Sequence, residues 1–237
     1  MKLIIDGREV TALADQSLLD IIREMGLVTG KLSTDPIAAK IAGDVFTLNY
    51  IPLREKDVRP DSERVREAVA ASGGVVRLIR YSDPAGAEVY TRTAQFVLFL
   101  AIEQLWPKAE ATMSFTVGSG LYVKVSGAKD FSAEALRERV DKIVEENIPL
   151  LRRRISTAEA IEYYKNNGQE DKARLLSYRP LSTFDVYKHG DFADYYYGEV
   201  APSTGYLRSY DILEAEGGFI FVFPQKKSPD RVSQYKE

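Results

Sequence analysis

The chain of 237 residues contains no cysteine and a single histidine, His189. Without cysteine it has no disulfide, no thiol nucleophile and no thiolate ligand for a metal. A single imidazole also excludes a metal site built from several histidines. A magnesium site made of carboxylates stays open, but most of the 35 Asp and Glu residues are expected on the solvated surface, so their number identifies none.

Long apolar runs are also missing from the sequence. No stretch reaches the roughly 18 apolar residues that a membrane-spanning helix needs. The N-terminal segment MKLIIDGREV reaches the charged Asp6-Gly7 pair too early for the apolar core of a signal peptide. With a net charge of -3, the composition is that of a soluble globular protein and argues weakly against a dedicated nucleic-acid binder. We therefore expect a cytoplasmic protein of one or two domains, without membrane contact.

The first half of the chain predicts a β-rich unit. Asp6-Gly7 lies between the short segments 2–5 and 8–10, which predicts a two-residue hairpin because Asp-Gly tolerates positive φ values. A helix capped by Asp15 or Ser17 follows. Its apolar face consists of Leu18, Ile21, Ile22 and Met25, and Gly26 ends it.

Strands predicted at 37–42 and 45–53 complete the order of a ubiquitin-like β-grasp. A polar helix is expected from Pro60 to Ala71, followed by a strand at 75–81. The residues Asp83-Pro84-Ala85-Gly86 then predict a turn. We place a domain boundary before this turn, so that residues 1–82 form the first domain.

The second half predicts an α+β domain over residues 83–226. Apolar residues recur at helical spacing between Arg92 and Leu105, which predicts a central helix. Residues 118–120, Gly-Ser-Gly, separate two predicted strands. The other predicted elements are a helix containing Leu136, Val140, Ile143 and Val144, a capping box at 156–159, a short helix through Leu176 and a buried strand at 218–224.

The last residues, 227–237, are interpreted as the start of a linker or as a truncated helix. Ser228-Pro229-Asp230 has the pattern of a first helical turn, with serine as cap and proline at the first position. A disordered tail and a chain that stops at a domain edge both fit this pattern.

Two short segments carry weak signals for phosphate binding. Gly118-Ser119-Gly120 lacks the G-x-x-x-x-G-K-S/T spacing of a nucleotide-binding loop, which favours a hairpin turn. The run LRRR at 151–154 fits a solvated strand edge and also fits contacts with RNA phosphates.

Two longer segments carry a resemblance to a known family. They are RRRISTAEAIEYYKNNGQEDKARLL at 152–176 and VYKHGDFADYYYGEVAPSTGYLRSYDI at 186–212. They resemble the second additional domain shared by threonyl- and alanyl-tRNA synthetases. In threonyl enzymes this domain follows a β-grasp TGS domain, and the first block of this chain looks like one. The resemblance is strong from about residue 90 onward, and it implies the fold of a tRNA-editing domain.

That family hydrolyses mischarged tRNA in a pocket with an H-x-x-x-H pair and a C-x-x-x-H pair. Alignment on QLWP and on PSTG places these four positions on Arg92, Phe96, Tyr196 and Val200. None of these side chains replaces a neutral imidazole or a thiolate. The resemblance therefore implies a pocket without its metal ligands. His189 lies at a position that the family does not use and is interpreted as a surface or capping residue.

Part of the pocket is kept. Lys172 matches a lysine that lines the pocket in threonyl enzymes, and Asp194 matches an acid just before their cysteine. With Arg92 and Tyr196 they form the expected vestigial ligand site. A Lys-Asp pair either binds a small polar ligand or forms a structural ion pair, and the missing base favours the structural role. The tyrosine run 195–197 either stacks on a base or packs in a half-buried strand.

The chain, with its metal ligands replaced, also resembles long bacterial uridine kinase-like proteins. These proteins join a TGS domain, a synthetase-like domain and a P-loop kinase domain. The similar segments are DYYYG…PSTGY, VYTRTAQFVLFLAIEQLWP and GGFIFVFP. This resemblance implies a non-catalytic accessory region without a cofactor of its own. Its partner would be the C-terminal kinase domain of the same chain, which uses ATP and magnesium to phosphorylate a nucleoside.

Two other functions stay open from the sequence. One is a metal-free hydrolase acting on misacylated tRNA through Lys172 and Asp194. The other is an RNA-binding module, whose affinity would fall steeply with salt. The nucleoside, the tRNA and the oligomeric state are not specified by the sequence.

Overall fold

The structure, a computed structural model, describes residues 1–52, 62–166, 168–178, 180 and 182–232. Its first five strands form one sheet in the order β2-β1-β5-β3-β4, with β1 and β5 parallel at the centre. These strands are β1 Lys2–Ile5, β2 Arg8–Thr11, β3 Pro36–Ile41, β4 Asp44–Phe46 and β5 Val75–Arg80. The helices are α1 Leu18–Glu24 and α2 Ser62–Ala71. The α+β class and the predicted β-grasp are confirmed.

The β1–β2 hairpin and α1 follow the sequence prediction. Asp6 and Gly7 both have positive φ, 45° and 81°, as a two-residue turn of this kind requires. Ser17 caps α1, since its hydroxyl accepts a hydrogen bond from the Asp20 amide. Gly26, with a φ of 70°, follows the last turn.

The strand predicted at 45–53 is much shorter in the structure, because β4 ends at Phe46. The residues after Phe46 form hydrogen bonds with helix α1 instead of extending the strand. The carbonyls of Leu48 and Tyr50 accept hydrogen bonds from the amides of Leu19 and Leu18 in the first turn of α1. These amides have no partner inside the helix, so the chain bends toward them. Residue 53 and the predicted helix start at Pro60 lie outside the described residues.

The turn predicted at 83–86 is wrong, and so is the helix start at Arg92. Asp83 is the N-cap of α3, Pro84–Leu105, and Pro84 occupies the first helical turn. Proline and glycine fit the first turn of a helix as well as a free turn. In the structure these residues form the start of α3. Gly86 lies so close to β5 there that a Cβ at this position would be 1.9 Å from the Arg80 carbonyl oxygen. The start of α3 therefore packs directly on the end of β5.

The second half contains two further sheets. One has the order β11-β12-β7-β6 and the other the order β10-β9-β8. Its strands are β6 Glu110–Val117, β7 Gly120–Ser126, β8 Arg152–Ser156, β9 Thr183–His189, β10 Phe192–Asp194, β11 Asp211–Ala215 and β12 Gly218–Val222. Its helices are α4 Ala133–Glu146, α5 Thr157–Asn166 and α6 Glu170–Ser177, with a 3₁₀ turn at Thr204–Tyr206. Apart from the start of α3, the helices and the hairpin predicted for this half are confirmed.

The helix predicted from Ser228 does not form within the described residues. The chain makes turns here, with a bridge between Gln225 and Ser228. The Asp230 carboxylate accepts a hydrogen bond from the Ser33 amide at 2.9 Å. Asp230, which would suit the first turn of a helix, thus contacts a residue that is distant in sequence instead. Residues 233–237 lie outside the described residues.

One hydrophobic core extends across the predicted boundary at residue 82 and includes residues of both halves. Polar contacts also join the halves, because the Asn49 side-chain amide donates to the carbonyls of Leu150 and Pro202, at 3.2 and 2.8 Å. A second, smaller core lies between α5, α6 and β9. The division into domains 1–82 and 83–226 stays a prediction.

Among the described residues, none of the helices has the length and apolar character that crossing a membrane requires.

Candidate functional site

Three of the four predicted pocket residues meet in one place. Lys172 lies on α6, Asp194 ends β10, and Tyr196 follows in the loop. The Lys172 Nζ lies 3.1 Å from Asp194 Oδ1, and the Tyr196 hydroxyl donates to Oδ2 at 3.1 Å. The backbone amide of Tyr195 also donates to Oδ1, at 2.9 Å. Both oxygens of this buried carboxylate are therefore occupied.

Arg92, the fourth residue, contacts the chain beyond Tyr196 instead of the carboxylate. Its Nε donates to the Glu199 carbonyl at 2.8 Å. Its guanidinium also lies against Gly198, whose φ is 117°, and a Cβ there would lie 3.0 Å from Arg92 Cζ. Arg92 thus holds the backbone of the loop, and a side chain at residue 198 would displace it.

The other two positions aligned with metal ligands are apolar and buried. Phe96 packs edge-on against Phe192, with ring centroids 5.2 Å apart. Val200 has no exposed surface. Across the part of the chain that the structure describes, no group of three or more His, Asp or Glu side chains is arranged to hold a metal ion.

Tyr164 on α5 also belongs to this site, although no motif in the sequence marks it. The Lys172 Nζ lies 5.3 Å from the centre of its ring, so the ammonium faces the π system. The Tyr164 hydroxyl is buried and has no hydrogen-bond partner among the described residues. Burial, and then the negative charge of Asp194, raise the pKa of this tyrosine above its ordinary value.

Glu103 on α3 adds negative charge near Asp194. It lies three turns after Arg92 on the same face of the helix, since the two are 11 residues apart. Burial raises the pKa of Glu103, and the charges of Asp191 and Asp194 raise it further. Lys172 therefore neutralises one of several neighbouring acids.

This arrangement limits the chemistry of the pocket. A general base must reach a substrate proton or a water molecule. Asp194 is buried, and both of its oxygens already accept hydrogen bonds, from Lys172, Tyr196 and the Tyr195 amide. The structural role of this ion pair stays a prediction. The side chain of Lys172 is still 37% exposed, so a ligand can reach it.

A second buried ion pair lies beside the pocket and was missed at the sequence level. The Arg152 guanidinium lies 3.1 Å from Glu199, whose side chain is 2% exposed. The Tyr187 hydroxyl donates to the same carboxylate at 3.2 Å. Burial opposes the charge of Arg152, but Tyr187 and Glu199 outweigh it and hold the pKa of the guanidinium above its ordinary value. No local pattern marks Glu199, since its partners come from β8 and β9.

The tyrosine run 195–197 follows β10 and is not part of a strand, so packing within a strand does not explain it. Tyr196 points inward, with its ring centroid 6.2 Å from that of Tyr187. Tyr197 is 77% exposed and packs edge-on against Tyr195. His189 ends β9, opposite Phe192, and is partly exposed, as expected for a residue outside the pocket.

Substitution of Tyr164 by phenylalanine tests the unpartnered hydroxyl. We expect a change in the free energy of unfolding below about 0.5 kcal/mol, because no protein hydrogen bond is lost. Tyr90→Phe is the matched control, since the buried Tyr90 hydroxyl donates to the Ser209 carbonyl at 2.6 Å. This control should lose about 1–3 kcal/mol. Urea unfolding measures both, and equal losses would contradict the assignment.

Among known proteins, several threonine–tRNA ligases are similar to this chain. No family model matches the chain. The threonine–tRNA ligase of Desulforamulus reducens is 27% identical over 192 residues, which are 79% of this chain and 27% of that protein. That of Carboxydothermus hydrogenoformans is 28% identical over 193 residues, 80% of this chain and 28% of that protein. That of Clostridium kluyveri is 26% identical over 218 residues, 90% of this chain and 31% of that protein.

The chain spans less than a third of the length of these curated relatives. Their similarity extends over most of the chain and confirms its resemblance to threonyl-tRNA synthetases. These relatives are ligases by name, so they do not support the resemblance to uridine kinase-like proteins.

Proposed function

We propose that this chain is a non-catalytic accessory region with the pocket of a tRNA-editing domain, attached to a cytoplasmic uridine kinase-like nucleoside kinase. The editing-domain part is supported by the similarity to threonine–tRNA ligases. The kinase part rests on the motif form DYYYG…PSTGY and on the loss of all four metal-ligand positions. ATP and magnesium would then serve the kinase domain, which is the proposed partner.

The observation that carries the non-catalytic role is that both oxygens of the buried Asp194 carboxylate already accept hydrogen bonds. Its two oxygens accept from Lys172, Tyr196 and the Tyr195 amide. Arg92 is committed to the Glu199 carbonyl. Each polar side chain kept in the pocket thus has a structural contact, and loss of a general base alone costs a hydrolase roughly 100- to 10,000-fold in rate.

A deacylation assay with mischarged tRNA tests the non-catalytic role. We expect hydrolysis at the uncatalysed rate, unchanged in Lys172→Ala. Lys165→Ala, an exposed lysine on the neighbouring helix α5, is the control. Turnover that Lys172→Ala abolishes and Lys165→Ala preserves would contradict this role. It would favour the alternative, a metal-free trans-editing hydrolase, which the partial exposure of the Lys172 side chain supports.

The kinase part is tested on the natural protein. Intact mass and sequencing of its C-terminal peptides should show a G-x-x-x-x-G-K-S/T loop beyond the last residue of this chain. Continuation into a ligase domain, or no further domain, would overturn this part. The two alternative hypotheses, a hydrolase for misacylated tRNA and an RNA-binding module, would then replace it.

A further inference from the structure

A cleft of about 680 Å³ runs beside the strand that carries the LRRR run. It is lined by Leu151, Arg152, Arg153, Arg154, Ile155, Glu159, Lys188 and Gly190. None of the four pocket residues Arg92, Lys172, Asp194 and Tyr196 lines it. Its volume falls within the range of roughly 300–1,000 Å³ that is typical of small-molecule sites. The cleft is therefore distinct from the vestigial editing pocket.

Two of the four cations in the cleft are already neutralised. Arg152 pairs with the buried Glu199. Arg154 makes a two-pronged contact with Asp185, at 2.8 and 3.1 Å. Within the described residues, Arg153 and Lys188 have no ion-pair partner, which leaves two positive charges for a ligand.

Strand register places these two charges together. Arg153 on β8 is opposite Val186 on β9, and Lys188 follows two residues later on the same face. Such diagonal neighbours have backbones about 7–8 Å apart, within reach of long side chains. Their charged ends can therefore converge on one anionic group.

The backbone adds hydrogen-bond donors on the same side. β8 is an edge strand of its sheet as described, so alternate amides face away from β9. Positive side chains and the outward-facing amides of β8 thus border one cleft.

We propose that this cleft binds a compact oligophosphate, the di- or triphosphate group of a nucleotide. A single-stranded RNA path tracks about 4–16 nucleotides and stacks bases on aromatic side chains. Among the described residues that line this cleft, none is aromatic. Two adjacent cations with strand amides match a short group of phosphates.

Calorimetric titration of the full chain with inorganic triphosphate, and then with ATP, tests this proposal. We expect one saturable site whose Kd rises about tenfold in Arg153→Gln and in Lys188→Gln, because each loses charge-assisted hydrogen bonds. Arg8→Gln and Lys124→Gln are matched controls, since both are exposed cations on strands of other sheets. Their Kd should stay within about twofold, and all four variants should unfold at the wild-type temperature.

Three results would overturn the proposal. The first is the absence of saturable binding of triphosphate and ATP. The second is equal weakening in the control variants, which would mean attraction to the protein's surface charge in general. The third is binding of a single-stranded RNA of about 12 nucleotides more tightly than triphosphate with the same dependence on Arg153, which would make the cleft part of an RNA path.

Discussion

Arg152→Met is expected to lower the free energy of unfolding by about 3–5 kcal/mol. The substitution removes the cation and leaves the Glu199 carboxylate buried, with a side chain that is 2% exposed. A charge without its partner in a water-excluded site is far more costly than the loss of a surface pair. Urea unfolding at pH 7, followed by circular dichroism, measures the effect.

Arg154→Met on the same strand is the matched control. Its pair with Asp185 is half exposed, so we expect a loss of about 0–1 kcal/mol. The double variant Arg152→Met/Glu199→Gln should recover part of the stability, because the stranded charge is gone. A loss in Arg152→Met no larger than that in Arg154→Met would show that Glu199 is neutral or hydrated in the folded protein.

Arg208→Met is expected to cost a similar amount, about 3–5 kcal/mol at neutral pH. The Arg208 Nη1 lies 2.6 Å from Asp35 Oδ2, and the Asp35 side chain is 1% exposed. This ion pair joins the β-grasp unit to the residues that follow the PSTGY segment in the second half. The amides of Thr29 and Gly30 also donate to the carboxylate, at 2.7 and 3.0 Å, so it cannot turn toward solvent without losing them.

The same pair predicts a dependence on pH. Burial alone would raise the pKa of Asp35, but hydrogen bonds from Arg208, Thr29 and Gly30 outweigh it and lower that pKa. A carboxyl whose folded pKa is depressed contributes stability above its unfolded pKa, about 3.9, and loses it as the pH falls through the folded value. The difference between wild type and Arg208→Met should therefore be largest at pH 7 and narrow below about pH 4.

Arg77→Met is the control for this prediction. Arg77 pairs with Asp83 at 3.0 Å, but its side chain is 65% exposed. Its loss should stay below about 1 kcal/mol at neutral pH. A destabilisation in Arg208→Met that does not change between pH 7 and pH 3 would show that packing, and not the charge of Asp35, carries the effect.

Local pattern was sufficient for most of the secondary structure. The Asp6-Gly7 turn, the Ser17 cap and the apolar periodicity of α4 act within a few residues, so the sequence predicts them directly. The failures came from long-range contacts. The 83–86 segment became a helix start because of its packing on β5, and Asp230 accepts from Ser33 instead of opening a helix.

The candidate site likewise contains residues that the sequence predicts and residues that it does not. Lys172, Asp194 and Tyr196 were predicted because their motif resembles a family pocket, and the structure brings them within hydrogen-bond distance. Glu199, Arg152 and Tyr164 were missed because their partners lie on other elements. The same is true of the free charges Arg153 and Lys188, which meet only through the register of β8 and β9.

Sequence alone determined which chemistry this protein lacks, because the absence of cysteine and of a second histidine excludes thiolate and multi-histidine sites whatever the fold. It also determined the β-grasp and most helices, since turns, caps and periodicity are local. Only the tertiary structure decided which charges are buried in pairs and which stay available. An ion pair requires two charges to lie close together, and segments that are far apart in sequence come close only when the chain folds.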